Sequence, residues 1–103
     1  MDALPAILME HLDEIRALCA KHGVRRLSVF GSAVKGTFDP ARSDVDFVVE
    51  FVEGVRGRTY LDLSVDLQDL LGRRVDLVER TSVRNPYFRQ VLDLTERPLY
   101  DAA

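Results

Sequence analysis

Apolar residues recur at intervals of three and four along the N-terminal stretch: Leu4, Ile7, Leu8, Leu12, Ile15, Leu18 and Cys19. That spacing predicts one amphipathic helix from about Pro5 to His22, with Pro5 suited to its first position and Gly23 to its stop. His11 and His22 fall on its polar side or in its last turn. From Val24 the pattern changes. Val24 to Phe30 is rich in Val, Leu and Phe and ends at Gly31, which predicts a first strand. Asp44 to Val52 alternates, with Val45, Phe47, Val49 and Phe51 on one face and Asp44, Asp46, Val48 and Glu50 on the other. This is a second strand. Between the two, Gly31-Ser32 predicts a tight turn into a short helical turn and then a loop.

Gly54 and Gly57 mark a loop, after which Thr59 is the predicted cap of a second long helix, with Asp62 three residues on. Its apolar stripe is Tyr60, Leu63, Leu67, Leu70 and Leu71, its wet face carries Asp62, Asp66 and Asp69, and Gly72 stops it. Arg74 to Glu79 predicts a third strand, with Arg74, Asp76 and Val78 on one face and Val75 and Leu77 on the other. Asn85-Pro86, a cap followed by proline, opens a helix that runs to about Thr95. Pro98 to Asp101 predicts a short edge strand, where proline's missing donor does no harm. The order α-β-β-α-β-α-β predicts an α/β (α+β) fold: a small mixed sheet of about four strands with flanking helices.

Composition narrows the class. At 103 residues the chain is expected to form one domain, residues 1–103, and 47% hydrophobic with 30% charged residues argues against disorder. A net charge of -3 with scattered arginines leaves no basic footprint, so dedicated nucleic-acid binding is disfavoured. No apolar run reaches the roughly 18 residues of a membrane span. Glu10, Asp13 and Glu14 interrupt any secretory layout, and the lone Cys19 excludes an internal disulfide and fits a reducing compartment. The expected location is cytoplasmic. Cys19 itself reads as a small core residue, and Tyr87, Phe88 and Tyr100 as core more than partner-facing residues.

The chemistry-bearing residues gather around two elements. Asp44 and Asp46, at i and i+2 of a strand, point the same way with α-carbons about 6.5–7 Å apart. Such a pair alone is a weak signal, since two solvated carboxylates at a strand edge look the same. Asp76 adds a third carboxylate on an alternating strand, where an unpaired charge needs either a cation or an arginine such as Arg26, Arg73 or Arg74. Gly31-Ser32 stands where a strand turns into a short helix, allowing a phosphate to approach the backbone, and Lys35-Gly36 follows. Oxygen ligands of this kind suit Mg²⁺ shared with substrate phosphates, and together the parts predict a two-metal phosphoryl-transfer site. Neither a Gly-Lys-Ser/Thr phosphate loop nor a Gly-x-Gly-x-x-Gly fingerprint occurs. Arg42, beside the acids, is a candidate for orienting them or touching nucleotide.

The run Gly31-Ser32, Lys35-Gly36 and Ser43-Asp44-Val45-Asp46, with Asp76 on a later strand, resembles the nucleotidyltransferase superfamily related to DNA polymerase beta. Within it the chain is similar to the minimal nucleotidyltransferase (MNT) domains, the antitoxin halves of HEPN/MNT toxin–antitoxin pairs. The resemblance implies that Asp44 and Asp46 hold two Mg²⁺ ions and that Asp76 completes the site at the one activating the acceptor. It implies that Gly31, Ser32 and Lys35 bind the triphosphate of ATP, and that AMP passes to a hydroxyl, typically a tyrosine of a HEPN-type toxin. Lys35 stands where such domains commonly carry Arg, and eleven residues separate Ser32 from Asp44, one more than the usual spacing.

Larger relatives carry an acceptor-binding domain that is missing here, so the acceptor is expected to come from another protein. The alternative is a non-catalytic antitoxin or binding module that inhibits its partner by occlusion. Three converging acids favour the enzyme. A transferase acting on a small molecule is a third reading, in which homo-oligomerisation would supply the acceptor pocket.

Overall fold

β-branched and aromatic runs set the frame. In the computed structural model, which describes residues 4–55 and 58–102, these runs form four strands. They are β1 (Val24–Phe30), β2 (Val45–Phe51), β3 (Val75–Glu79) and β4 (Arg97–Asp101), hydrogen-bonded in the order β3-β2-β1-β4. β1 runs antiparallel to β2 and β4, and β3 runs parallel to β2, so the sheet is mixed as predicted. Among the described residues, five α-helices flank it: α1 (Ala6–Glu10), α2 (Leu12–Lys21), α3 (Ser32–Lys35), α4 (Arg58–Leu71) and α5 (Pro86–Thr95).

The period-2 pattern of β2 decides which helices cover which face. Val45, Phe47 and Val49 are fully buried in the main core with Ile15 and Cys19 of α2 and Leu63, Leu67 and Leu71 of α4. Burial pushes the Cys19 thiol up to about 12, as befits a core residue rather than a reactive one. The opposite face of β2 carries Val48, which packs with Val78 of β3, Phe30, Val83 and Leu92 of α5 in a second, smaller cluster. α5 covers that face through Leu92, in the cluster with Val48, and through Phe88, whose ring meets Phe30. Beside it the aspartates stay accessible, Asp44 and Asp76 exposed and Asp46 half-buried.

Both sheet edges are blunted by a side chain that takes a strand carbonyl. The Tyr60 hydroxyl donates to the Leu77 carbonyl on β3, and Arg16 Nε donates to the Leu99 carbonyl on β4 at 3.0 Å. Edge carbonyls occupied in this way offer less of a template for pairing with another chain. Asn85 caps α5 as expected, its side chain accepting from the amides of Tyr87 and Phe88, with Pro86 at the first helical position.

Three expectations are corrected. The helix from Pro5 to His22 is two helices, α1 and α2, interrupted at His11. His11 Nδ1 donates to the Ile7 carbonyl at 2.9 Å, taking an acceptor that a continuous helix would reserve for the His11 amide. Thr59 lies inside α4 rather than capping it, because the helix already includes Arg58; Gly57 lies outside the described residues. Asp66 is not simply on a wet face. His22 Nε2 donates to it at 2.6 Å with Lys21 at 3.7 Å, which ties the end of α2 to α4 and holds this carboxyl below its ordinary range. Among the described residues, no helix is long and apolar enough to cross a membrane.

Candidate active site

Three chain segments meet at one end of the sheet because of strand direction alone. β1 ends at Phe30, which lies opposite Asp46 in the antiparallel register with β2. β3 begins beside the start of β2, and its parallel register sets Asp76 directly against Asp46. Gly31 and Ser32 follow Phe30 at once, so the turn into α3 stands over the same strand end. Asp44 sits one residue before β2. The register therefore brings the Gly-Ser turn and all three predicted acids to one place.

Gly31 is held at φ +72°, and a Cβ built there would lie 2.4 Å from Asp46 Oδ2. Only glycine leaves the Asp46 carboxylate its room. Ser32 opens α3 and is half-buried, while Lys35 occupies its last turn and is exposed; Gly36, at φ +78°, ends it in the left-handed region. The loop that returns to Asp44 is folded on itself. Asp39 accepts from the Ala41 amide through its side chain and from the Arg42 and Ser43 amides through its carbonyl, and its own amide donates to the Ser43 hydroxyl. The longer loop noted in the sequence is thus taken up by a turn at Asp39-Pro40.

Electrostatics mark Asp46 as the centre. Partial burial, then the charges of Asp76 and Asp44, raise its carboxyl above the ordinary range. Among the described residues, none of the three carboxylates has an ion pair. Two of the arginines weighed as partners for Asp76 are engaged elsewhere: Arg26 faces Glu96 at 3.8 Å, and Arg73 reaches the loop before Asp44. The acids are electrostatic neighbours rather than a closed cage, since no three Asp, Glu, His or Cys side chains among the described residues already enclose one ion position. Hard oxygen donors with an unneutralised charge and a glycine keeping space beside them fit a divalent cation such as Mg²⁺.

An open cleft of about 560 Å³ runs along β3 beside Asp76, lined also by Tyr60, Val78, Glu79 and Ser82. Burial, then Asp76 and Glu79, raise the Tyr60 hydroxyl above its ordinary pKa, so it acts as the donor to Leu77 and not as a nucleophile. A recess of about 260 Å³ behind α3, between Pro5–Ile7 and Phe38–Pro40, has no charged lining and no part in such chemistry. Arg42 is exposed, and its amide donates to the Asp39 carbonyl. Two features were missed from the sequence. Tyr87 is 76% exposed and Phe88 37% exposed, so neither is core, although the Phe88 ring meets Phe30 edge-on at 6.0 Å; Tyr100 packs on the main core as expected. Arg73 belongs to the loop before Asp44, not to Asp76, and strand alternation puts only its chain neighbour Arg74 on the acid face.

Known proteins agree with this geometry. Residues 12–97 match the family model of the nucleotidyltransferase domain. The protein adenylyltransferase MntA of Thermococcus cleftensis is 37% identical over 92 residues, covering 89% of each chain. A solved candidate minimal nucleotidyltransferase superposes with a TM-score of 0.78 at 34% identity, covering 88% of this chain and 91% of that one. A Shewanella oneidensis complex of a tri-AMPylated HEPN toxin with its MNT antitoxin shares the fold, with a TM-score of 0.66 at 20% identity over 91% of this chain and 72% of that one. The chain belongs to the nucleotidyltransferase domain family and is an enzyme of its minimal, MNT type.

Proposed function

We propose that the chain is a cytoplasmic, Mg²⁺-dependent adenylyltransferase that moves AMP from ATP to a tyrosine hydroxyl of a HEPN-type toxin and acts as its antitoxin. The observation that carries this reading is the register that sets Asp46 against Asp76, with Gly31 keeping the Asp46 carboxylate free. Asp44, Asp46 and Asp76 would hold two Mg²⁺ ions, which when bound neutralise phosphate charge and acidify the acceptor hydroxyl. Gly31 and Ser32 receive the triphosphate close to the backbone, and Lys35 adds a cation at the rim. The open cleft along β3 admits the acceptor from outside the chain. In the reaction the acceptor oxygen bonds to the α-phosphorus, the bond to the diphosphate breaks, and the hydroxyl proton leaves. The AMP carried by the toxin in the Shewanella oneidensis complex and the adenylyltransferase name of the 37% identical relative support this substrate pair.

We expect the HEPN-type toxin to be encoded beside this chain, and intact mass of that product after incubation with this chain, ATP and Mg²⁺ is the test. One or more added AMP units, absent when Asp44→Ala replaces the wild type, is the expected result. A stable, silencing complex without added mass would instead establish the binding module.

Gly31→Ala is expected to separate space from strain. The backbone conformation alone costs ~1–3 kcal/mol for a residue with a Cβ. Gly72→Ala shares a positive φ, +64°, but meets nothing within 4 Å. Both variants should therefore lose stability in urea titration, and only Gly31→Ala should also lose AMP transfer, because its methyl displaces Asp46. Equal activity in the two would remove Gly31 from the site.

A further inference from the structure

We infer that Arg73 is a positioning residue that locks Asp44 in register with Asp76. Asp44 lies outside β2 at the end of a loop, so strand pairing does not hold it. Residues 73 and 74 hold it from both sides. Arg73 Nη2 donates to the Pro40 carbonyl at 2.8 Å and Nη1 to the Ser43 carbonyl at 3.4 Å, while the guanidinium lies 5.2 Å from the centre of the Phe38 ring. The Arg74 carbonyl accepts from the Val45 amide at 3.2 Å. The peptide units immediately before and after Asp44 are thus bonded to two consecutive residues, and two positions later the same chain carries Asp76.

The bracket sets the distance between two carboxylates that arise from different segments. A planar fork that reaches two carbonyls and stacks on a ring is a task for Arg; a lysine ammonium reaches one carbonyl as a point charge. The inference rests on the proposed role of Asp44 as a metal ligand, but its geometric half stands apart from that role.

The test uses the full chain with Arg73→Lys and Arg73→Gln. In metal-free protein, amide hydrogen exchange at Ser43 and Val45 is expected to accelerate in both variants while that of Leu27 and Val29 in β1 stays unchanged. In AMP transfer, the Mg²⁺ concentration for half-maximal rate should rise roughly tenfold, the scale seen when a group supporting a metal ligand is lost, and saturating Mg²⁺ should recover most of the rate. A merely structural role would lower the melting temperature without moving the Mg²⁺ requirement. Unchanged exchange at Ser43 and Val45 overturns the bracket, and an unchanged Mg²⁺ requirement in an active protein overturns its role at the site. A wild type that transfers nothing overturns the adenylyltransferase reading instead, with the exchange data still deciding the bracket.

Discussion

Asp46→Asn is expected to abolish AMP transfer and, in the absence of metal, to raise the stability of the fold at neutral pH. The first effect follows from position. Asp46 is the one acid flanked by both others, with Asp76 in its register and Asp44 two residues away, and its carboxylate occupies the space that Gly31 leaves open. An amide of the same shape keeps the packing and removes the charge. The rate should fall at least ~10²-fold, the size of loss found when one preorganised charge-stabilising group is removed. The second effect follows from linkage. The folded-state pKa of Asp46 is raised, by burial and then by its like-charged neighbours, so the native state binds its proton more tightly than the unfolded chain does. That favourable contribution is fully present below the unfolded pKa of about 3.9 and is lost as pH rises through the folded value. Melting curves of the metal-free proteins should therefore diverge as pH rises toward 7, with Asp46→Asn the more stable, and converge in acid. Mg²⁺ should stabilise the wild type by mass action and leave the variant largely unmoved. A variant that transfers at the wild-type rate, or one destabilised at neutral pH with its fold intact, would contradict the assignment.

How much of this is legible in the sequence depends on whether the governing interaction is local. The alternation of β2 was enough to assign Val45, Phe47 and Val49 to one face and Asp46 to the other, because a strand has a fixed period of two. The Asn85-Pro86 cap was equally legible, since both of its hydrogen bonds fall within three residues. What could not be read was which strand lies beside which. The pairing of Asp46 with Asp76 depends on β3 running parallel to β2, and this in turn depends on α4 crossing the face that Leu63, Leu67 and Leu71 bury. Side-chain direction was the other limit. Arg73 stands three residues from Asp76, close enough in sequence to pair with it, yet the Phe38 ring and two loop carbonyls draw it the other way. The break at His11 is also a side-chain effect, in which an imidazole competes for a helix carbonyl within an otherwise continuous apolar stripe.

Removing one partner from the ion network behind α5 is expected to cost more stability than any surface change in this chain. Arg80, in the turn of 3-10 helix after β3, bonds Glu96 at the end of α5 and Asp93 at 2.6 Å, while Arg26 of β1 approaches Glu96 at 3.8 Å. The Glu96 side chain is 5% exposed and that of Arg80 is 15%, so water does not screen this pair as it screens the Arg58–Asp62 pair on α4, at 90% and 53%. An exposed pair contributes ~0–1 kcal/mol. A buried one behaves differently: its net value is small against an apolar replacement, but a single deletion strands the remaining charge and costs about 3–5 kcal/mol. Among the described residues, Arg80→Met leaves Arg26 as the cation facing the Glu96 carboxylate, and a loss near the lower figure, about 3 kcal/mol, is expected because Arg26 remains. For a domain of this length that corresponds to a drop in melting temperature of ~12 °C or more. Arg80→Met combined with Glu96→Leu should recover a large part of the loss, since no charge is then left buried. The network holds α5 against β1 and the start of its own connection to β3, and it touches none of the three acids. AMP transfer per folded molecule should therefore survive in both variants at low temperature. A single variant as stable as the wild type would show that solvent reaches Glu96 freely and that packing alone seats α5.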